Sequence, residues 1–160
     1  MKSRPILFKP ELLDLICQGK KTQTRRLDRR WLSLEVGDEL WCKEKLVRVE
    51  TAPRHIDLPK SRAEYDRDAE VALPEWKWQR DWLSPLHMPR GAARVFLTVV
   101  EKPRIEPLSD MRMSDAKAEG FARMEAFLSA WGSIHGDRDG RIDYDSEVVV
   151  VTFKLLEIQP

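Results

Sequence analysis

Apolar residues recur along this chain in short bursts, and the spacing within each burst predicts its secondary structure. Ile6-Leu7-Phe8 reads as a first strand. Pro10 then opens a helix over Glu11–Gln18, since proline is tolerated in a first helical turn. Leu12, Leu13, Leu15 and Ile16 lie on one side of it at helical spacing, and Gly19 stands where a helix commonly stops. Thr22–Leu27 alternates well enough for a strand. The turn Val36-Gly37-Asp38 leads into a longer strand running from Glu39 towards Glu50. In it Leu40, Cys42 and Leu46 face one way, and Trp41, Lys43 and Lys45 the other.

The pattern weakens from Thr51 to Pro89, where Pro53, Pro59, Pro74, Pro85 and Pro89 are mixed with charges. This predicts a long irregular excursion, of the kind that is usually functional or mobile in a compact domain. Arg94–Glu101 is the clearest strand pattern in the chain. Ser114 and Asp115 are placed to cap a helix carrying Ala116, Ala118 and Glu119, which Gly120 interrupts. A second helix follows over about 122–133, with Phe127, Leu128 and Trp131 on its apolar side. Glu147–Ile158 closes the sequence as a buried strand led by Val148-Val149-Val150-Val151. Strands at both ends and in the middle, without regular βαβ alternation, predict an α+β fold. Its expected form is a small, mixed or antiparallel β-barrel with short flanking helices.

Composition narrows the function classes. A length of 160 residues suits one domain with a real core. The formal net charge of +1 excludes a polycation, so nucleic-acid binding would need a local patch. The two cysteines, Cys17 and Cys42, form no C-x-x-C pair, which argues against a zinc cluster or a disulfide framework. No apolar run approaches the roughly 18 residues that span a bilayer, and Pro10 and Glu11 interrupt any signal-peptide core. A cytoplasmic protein without membrane contact is expected, with no metal and no cofactor.

Chemistry concentrates in Gly19-Lys20-Lys21-Thr22-Gln23-Thr24-Arg25-Arg26, which packs four cations and two threonine hydroxyls behind a short helix. A hydroxyl beside lysine can be polarised or deprotonated, and arginine can hold a phosphate or a planar polar ligand. The segment is a binding loop or part of a catalytic site. Trp76, Trp78 and Trp82, beside Lys77 and Arg80, read either as a core or lid plug or as a base-stacking surface. His55, His87 and His135 are scattered, without metal-ligand spacing. Glu44 is either a pocket acid or a cross-strand partner of Lys43 or Arg48. Asp137-Arg138-Asp139-Gly140 lacks the further ligands of a calcium loop.

The Gly19–Arg26 segment, following a short helix, resembles the signature of the ASCH domain family, whose fold is PUA-like. Three further stretches are similar to that family and fall in its order: 36–44, 86–94 and the helical part from Ala118 to Ile134. The second of these, around His87-Met88-Pro89-Arg90, is of the kind common in phage and prophage members. The resemblance implies one ASCH domain over 1–160, with a long irregular insertion at about 51–89, and an RNA or nucleoside ligand. One branch of the family, the small N4-acetylcytidine amidohydrolases, uses a lysine, a threonine and a glutamate. Carried over by motif, these fall on Lys21, Thr24 and Glu119 as the catalytic set.

The resemblance thus implies that Thr24 attacks the acyl carbonyl, that Lys21 takes its proton, and that Glu119 protonates the leaving amine. Lys21 precedes Thr24 by three positions, so it must reach round from a turn or bulge rather than along a strand. It needs a depressed pKa, for which Lys20, Arg25 and Arg26 would supply repulsion, and Glu119 is expected in a partly apolar pocket. Lys20, Arg25, Arg26, Glu44, His87 and Arg90 form the candidate substrate-binding set, with Arg26 orienting substrate or stabilising an oxyanion. Two other functions fit the same residues: a non-catalytic RNA- or nucleotide-binding module, and a metal-independent ribonuclease.

Overall fold

The computed structural model describes residues 1–47, 54–55 and 82–159. Strand β1 (Ser3–Leu7) leads into α1 (Pro10–Cys17) and β2 (Gln23–Arg26). A 3₁₀ turn at Arg29–Ser33 follows, then β3 (Glu39–Lys43) and three two-residue strands, β4 (Leu46–Val47), β5 (Arg54–His55) and β6 (Trp82–Leu83). The remainder is β7 (Val95–Val99), β8 (Arg104–Pro107), α2 (Met113–Ala118), α3 (Met124–His135) and β9 (Glu147–Ile158). Among the described residues no helix is long and apolar enough to cross a membrane.

The main sheet runs β1-β3-β7-β9-β2, with β8 also paired to β9, and curls into a half-barrel. β1 and β3 are parallel and the other pairs antiparallel, so the sheet is mixed as expected. β9 organises it. Its first half lies between β2 and β8, since Val149 and Val150 pair with both, and its second half pairs with β7. Val149, Val151 and Phe153 point into the barrel core, with Leu13 and Ile16 of α1 and Trp31 of the 3₁₀ turn. Val148 and Val150 point the other way, into a second core with Phe127 and Trp131 of α3. Four consecutive valines are apolar because both faces of this strand are covered. Each fully buried valine contributes about 1.5–3 kcal/mol relative to exposure.

The predicted strand from Glu39 towards Glu50 is broken. β3 ends at Lys43, and Leu46 belongs to a separate three-stranded sheet, β5-β4-β6. Leu40 and Cys42 therefore face the barrel core, whereas Leu46 joins Trp41, Met88 and Phe96 in a third cluster. At the start of β3, the buried Asp38 carboxylate accepts the Lys2 and Glu35 backbone N–H groups at 2.7 and 2.9 Å. Those bonds lower its pKa and fix β1 against β3. β8 has no counterpart among the predicted elements. The predicted insertion at 51–89 lies largely outside the described residues, as do Trp76 and Trp78.

Candidate active site

Two helix ends meet at the site, and both are closed by the same device. α1 stops where Gly19 takes a left-handed φ of 74°, with Gly19 N–H bonding Ile16 O and Lys20 N–H bonding Leu15 O. α2 stops at Gly120, φ 96°, with Gly120 N–H bonding Lys117 O and Phe121 N–H bonding Ala116 O. These are Schellman pairs, which satisfy helix-terminal carbonyls and turn the chain sharply. The turns pack together: a Cβ on Gly120 would lie 2.9 Å from Leu15 Cδ1 and 3.4 Å from Lys21 Cβ. Thr22 N–H also donates to Ala118 O at 2.8 Å. Lys21, just after one turn, thus meets Glu119, just before the other. The Lys21 side chain leaves from the link between the α1 turn and β2, outside the strand that carries Thr24.

Five of the eight buried polar or charged residues among those described gather here: Lys21, Gln23, Thr24, Arg25 and Glu119. Lys21 Nζ donates to Glu119 Oε2, Glu119 O and Gln23 O, each at 2.8 Å. The last contact places the ammonium against the peptide that links Gln23 to Thr24. Burial holds the Lys21 pKa below its ordinary value; the Glu119 carboxylate opposes this, while Arg26 and Arg25 add to the lowering. Lys20 is exposed and is not among the groups that shift it.

β2 presents its side chains alternately. Thr24 pairs with Val151, whose side chain faces the barrel core, and Arg25 with Val150, whose side chain faces α3. Arg25 is therefore enclosed on the helical side. Its guanidinium meets Gln23 Oε1 at 2.7 Å, Glu106 at 2.9 Å, Glu119 at 3.1 Å and Asp115 at 3.6 Å. With both terminal nitrogens turned to Gln23 and these carboxylates, Arg25 is held as a structural anchor. Glu119 accordingly sits between two cations rather than in a partly apolar pocket. Asp115 also differs from expectation: it caps α2 from within, accepting Arg112 N–H at 2.8 Å, and Ser114 makes no cap.

Arg26 lies on the Thr24 face. Its guanidinium stands 5.2 Å from the Phe8 ring centroid, Lys21 Nζ stands 5.7 Å from the same centroid, and Arg26 donates to Leu7 O at 2.8 Å. Lys21, Arg25, Arg26 and Glu119 are thus brought to one neighbourhood, with Thr24 next to Arg25 on β2 and its side chain on the barrel-core face, whereas Glu44, His87 and Arg90 sit elsewhere. Glu44 is buried against the equally buried Arg94 at 3.3 Å, a partner that its sequence neighbours did not suggest. His87 is exposed. Arg90 pairs with Glu39 at 2.6 Å and donates to Ser3 Oγ, at the end of β1 opposite Leu7. His135 lies against Trp131, its pKa lowered by burial and by Arg26. Trp82 is exposed. Phe8, Trp31 and Glu106 were not foreseen, because nothing in their own segments marks them as neighbours of Lys21 and Arg25. Among the described residues no cluster of His, Cys, Asp and Glu is arranged to hold a metal ion.

No protein-family model matches the sequence, and no curated protein matches it. The structure is similar to that of a DUF984-family protein from Enterococcus faecalis, with a TM-score of 0.50 and 12% identity over 99% of this chain and 82% of the other. It is similar to the hypothetical protein PH0355, with a TM-score of 0.52 and 14% identity over 98% of this chain and 100% of the other. An ASCH domain from Lactobacillus crispatus gives a TM-score of 0.52 and 12% identity over 96% of this chain and 79% of that one. At such identities the likeness concerns fold alone, and the chain has an ASCH-like, PUA-like α+β fold.

Proposed function

We propose that this chain is a single ASCH-like domain over 1–160, with an insertion at about 51–89, that removes an acyl group from the exocyclic nitrogen of an N4-acylated cytosine. The observation that carries this reading is the buried Lys21–Glu119 pair, 2.8 Å apart and held against the peptide preceding Thr24. A lysine serves as a base near neutral pH only when its pKa is depressed, and the Lys21 value is lowered by burial.

The chemistry balances on one shared proton. Transfer across the ion pair leaves a neutral Lys21 amine and a protonated Glu119. Lys21 then takes the Thr24 hydroxyl proton as Oγ1 bonds to the acyl carbon. The C–N bond breaks, Glu119 gives its proton to the departing amine, and the acyl group rests on Thr24 as an ester. Water cleaves that ester, releasing the carboxylic acid and restoring the hydroxyl. The Arg26 guanidinium, on the same face of β2 as Thr24, would supply the cation for the oxyanion. Lys21 and Thr24 are 2% and 5% exposed, so a substrate carbonyl reaches Thr24 only after local side-chain movement.

The test is acetate release from N4-acetylcytidine by the purified chain. Lys21→Ala and Thr24→Ala should each lower kcat by about 10²–10⁴. The near-complete cover over the pair favours a second reading, in which it is a structural pin and the domain binds RNA or a nucleotide without turnover. Micromolar ligand binding with no acetate release would decide for that module. Cleavage of short single-stranded RNA would decide for a ribonuclease.

A further inference from the structure

The cations near Lys21 continue outward across two aromatic rings. Lys21 and Arg26 flank Phe8, and Arg26 is also 5.7 Å from the Trp31 ring centroid. Arg4 and Arg30 reach that same indole, at 5.8 and 5.7 Å. Trp31 is 4% exposed, so it is no stacking surface for a base. It serves as the post around which three guanidinium groups are set, each within cation–π range. The Asp28 carboxylate shapes the turn that carries Trp31 by accepting Arg30 N–H at 2.9 Å.

Arg4 and Arg30 are only lightly committed. Arg26, the most enclosed of the three, lies in the field of the Glu119 carboxylate, where these cations meet the site. Arg4 donates to Arg30 O and Ser33 Oγ, and Arg26 to Leu7 O, all neutral oxygens. Arg30 pairs with Asp28 at 2.9 Å, but both side chains are more than half exposed. Exposed pairs of that kind are worth about 0–1 kcal/mol and exchange readily for a stronger anion. A concentration of arginine on a chain of formal net charge +1 marks a local partner rather than a general field. Guanidinium forks match phosphate oxygens in geometry and charge.

We infer that Arg4, Arg26 and Arg30 form a phosphate-binding track leading to the Lys21–Glu119 site, so that its substrate is a phosphorylated nucleoside rather than the free one. The inference rests on the reading of that site given above. The phosphate comes either from a mononucleotide or from the backbone of an oligonucleotide, since both present the same oxygens.

Calorimetric titration of the full chain with cytidine, cytidine 5′-monophosphate and pentacytidylate RNA tests it. The phosphate-bearing ligands should bind at least about tenfold tighter than cytidine. Arg4→Gln combined with Arg30→Gln should reduce that preference to less than about threefold while leaving cytidine affinity, the control for folding, unchanged. Arg4→Lys with Arg30→Lys, which keeps both charges but not the guanidinium fork, should restore only part of it. A further gain for pentacytidylate, with a salt dependence steeper by about 0.7 per added phosphate contact, supports a backbone ligand. Equal affinity for the two phosphates supports a single terminal one. Equal affinity for all three ligands, a preference untouched by the glutamine variant, or no binding of any ligand overturns the track. Absence of acetate release from N4-acetylcytidine 5′-monophosphate beside an intact, arginine-dependent preference overturns deacylation and supports the track.

Discussion

Lys21 carries its proton against the tendency of its surroundings. Burial lowers its pKa, and Glu119 only partly offsets this. Between the lowered folded value and the ordinary 10.5, the unfolded chain binds more protons than the folded one, so stability rises with pH across that window. Below the folded value the penalty is present in full. Urea unfolding from about pH 7 to about pH 10 should therefore show wild-type stability climbing relative to Lys21→Met; parallel profiles would refute the depressed value. Glu119→Gln leaves two buried cations short of a partner and should cost about 3–5 kcal/mol. Glu147→Gln, which breaks the exposed pair with Arg29, should cost less than about 1 kcal/mol. Sequence alone marked Lys21, Thr24 and Arg26 as chemically interesting. It assigned Arg25 its repulsion of Lys21 but not its carboxylate partners Glu119, Glu106 and Asp115, which lie far away in sequence.

Among the elements, the two glycine-terminated helices do most to build the site. Gly19→Ala and Gly120→Ala both place a side chain in left-handed backbone, a cost of about 1–2 kcal/mol each. Only the second also drives a Cβ into Leu15 and Lys21, since nothing lies within 4 Å of a Cβ built on Gly19. Gly120→Ala should accordingly be the more destabilising in thermal melts and should displace Lys21 from Glu119, visible as a shift in the Lys21 ¹³Cε resonance. Equal losses and an unmoved resonance would show that the close packing is unimportant. The helix stops were legible because glycine supplies the left-handed residue locally. The break after Lys43 was not, since Leu46 keeps the parity of Leu40 and Cys42 while belonging to another sheet.

For the molecule as a whole, β9 joins the barrel core to the helical core, its alternate valines filling one and then the other. The two layers should unfold together. The slowest-exchanging amides of β7, in the barrel, and of α3, in the helical layer, should report one common opening free energy; two distinct values would separate the layers. By itself, the sequence determined the α+β class, the final strand, the helix stops and the basic segment, because each is written in local periodicity or a local backbone requirement. Only the tertiary structure decided which charges meet. Lys21 and Glu119 are 98 positions apart, and Arg25 and Glu106 are 81 apart. No local pattern encodes such a pairing: an ion pair is selected by burial, which the chain acquires only when β2, β8 and the end of α2 close around it.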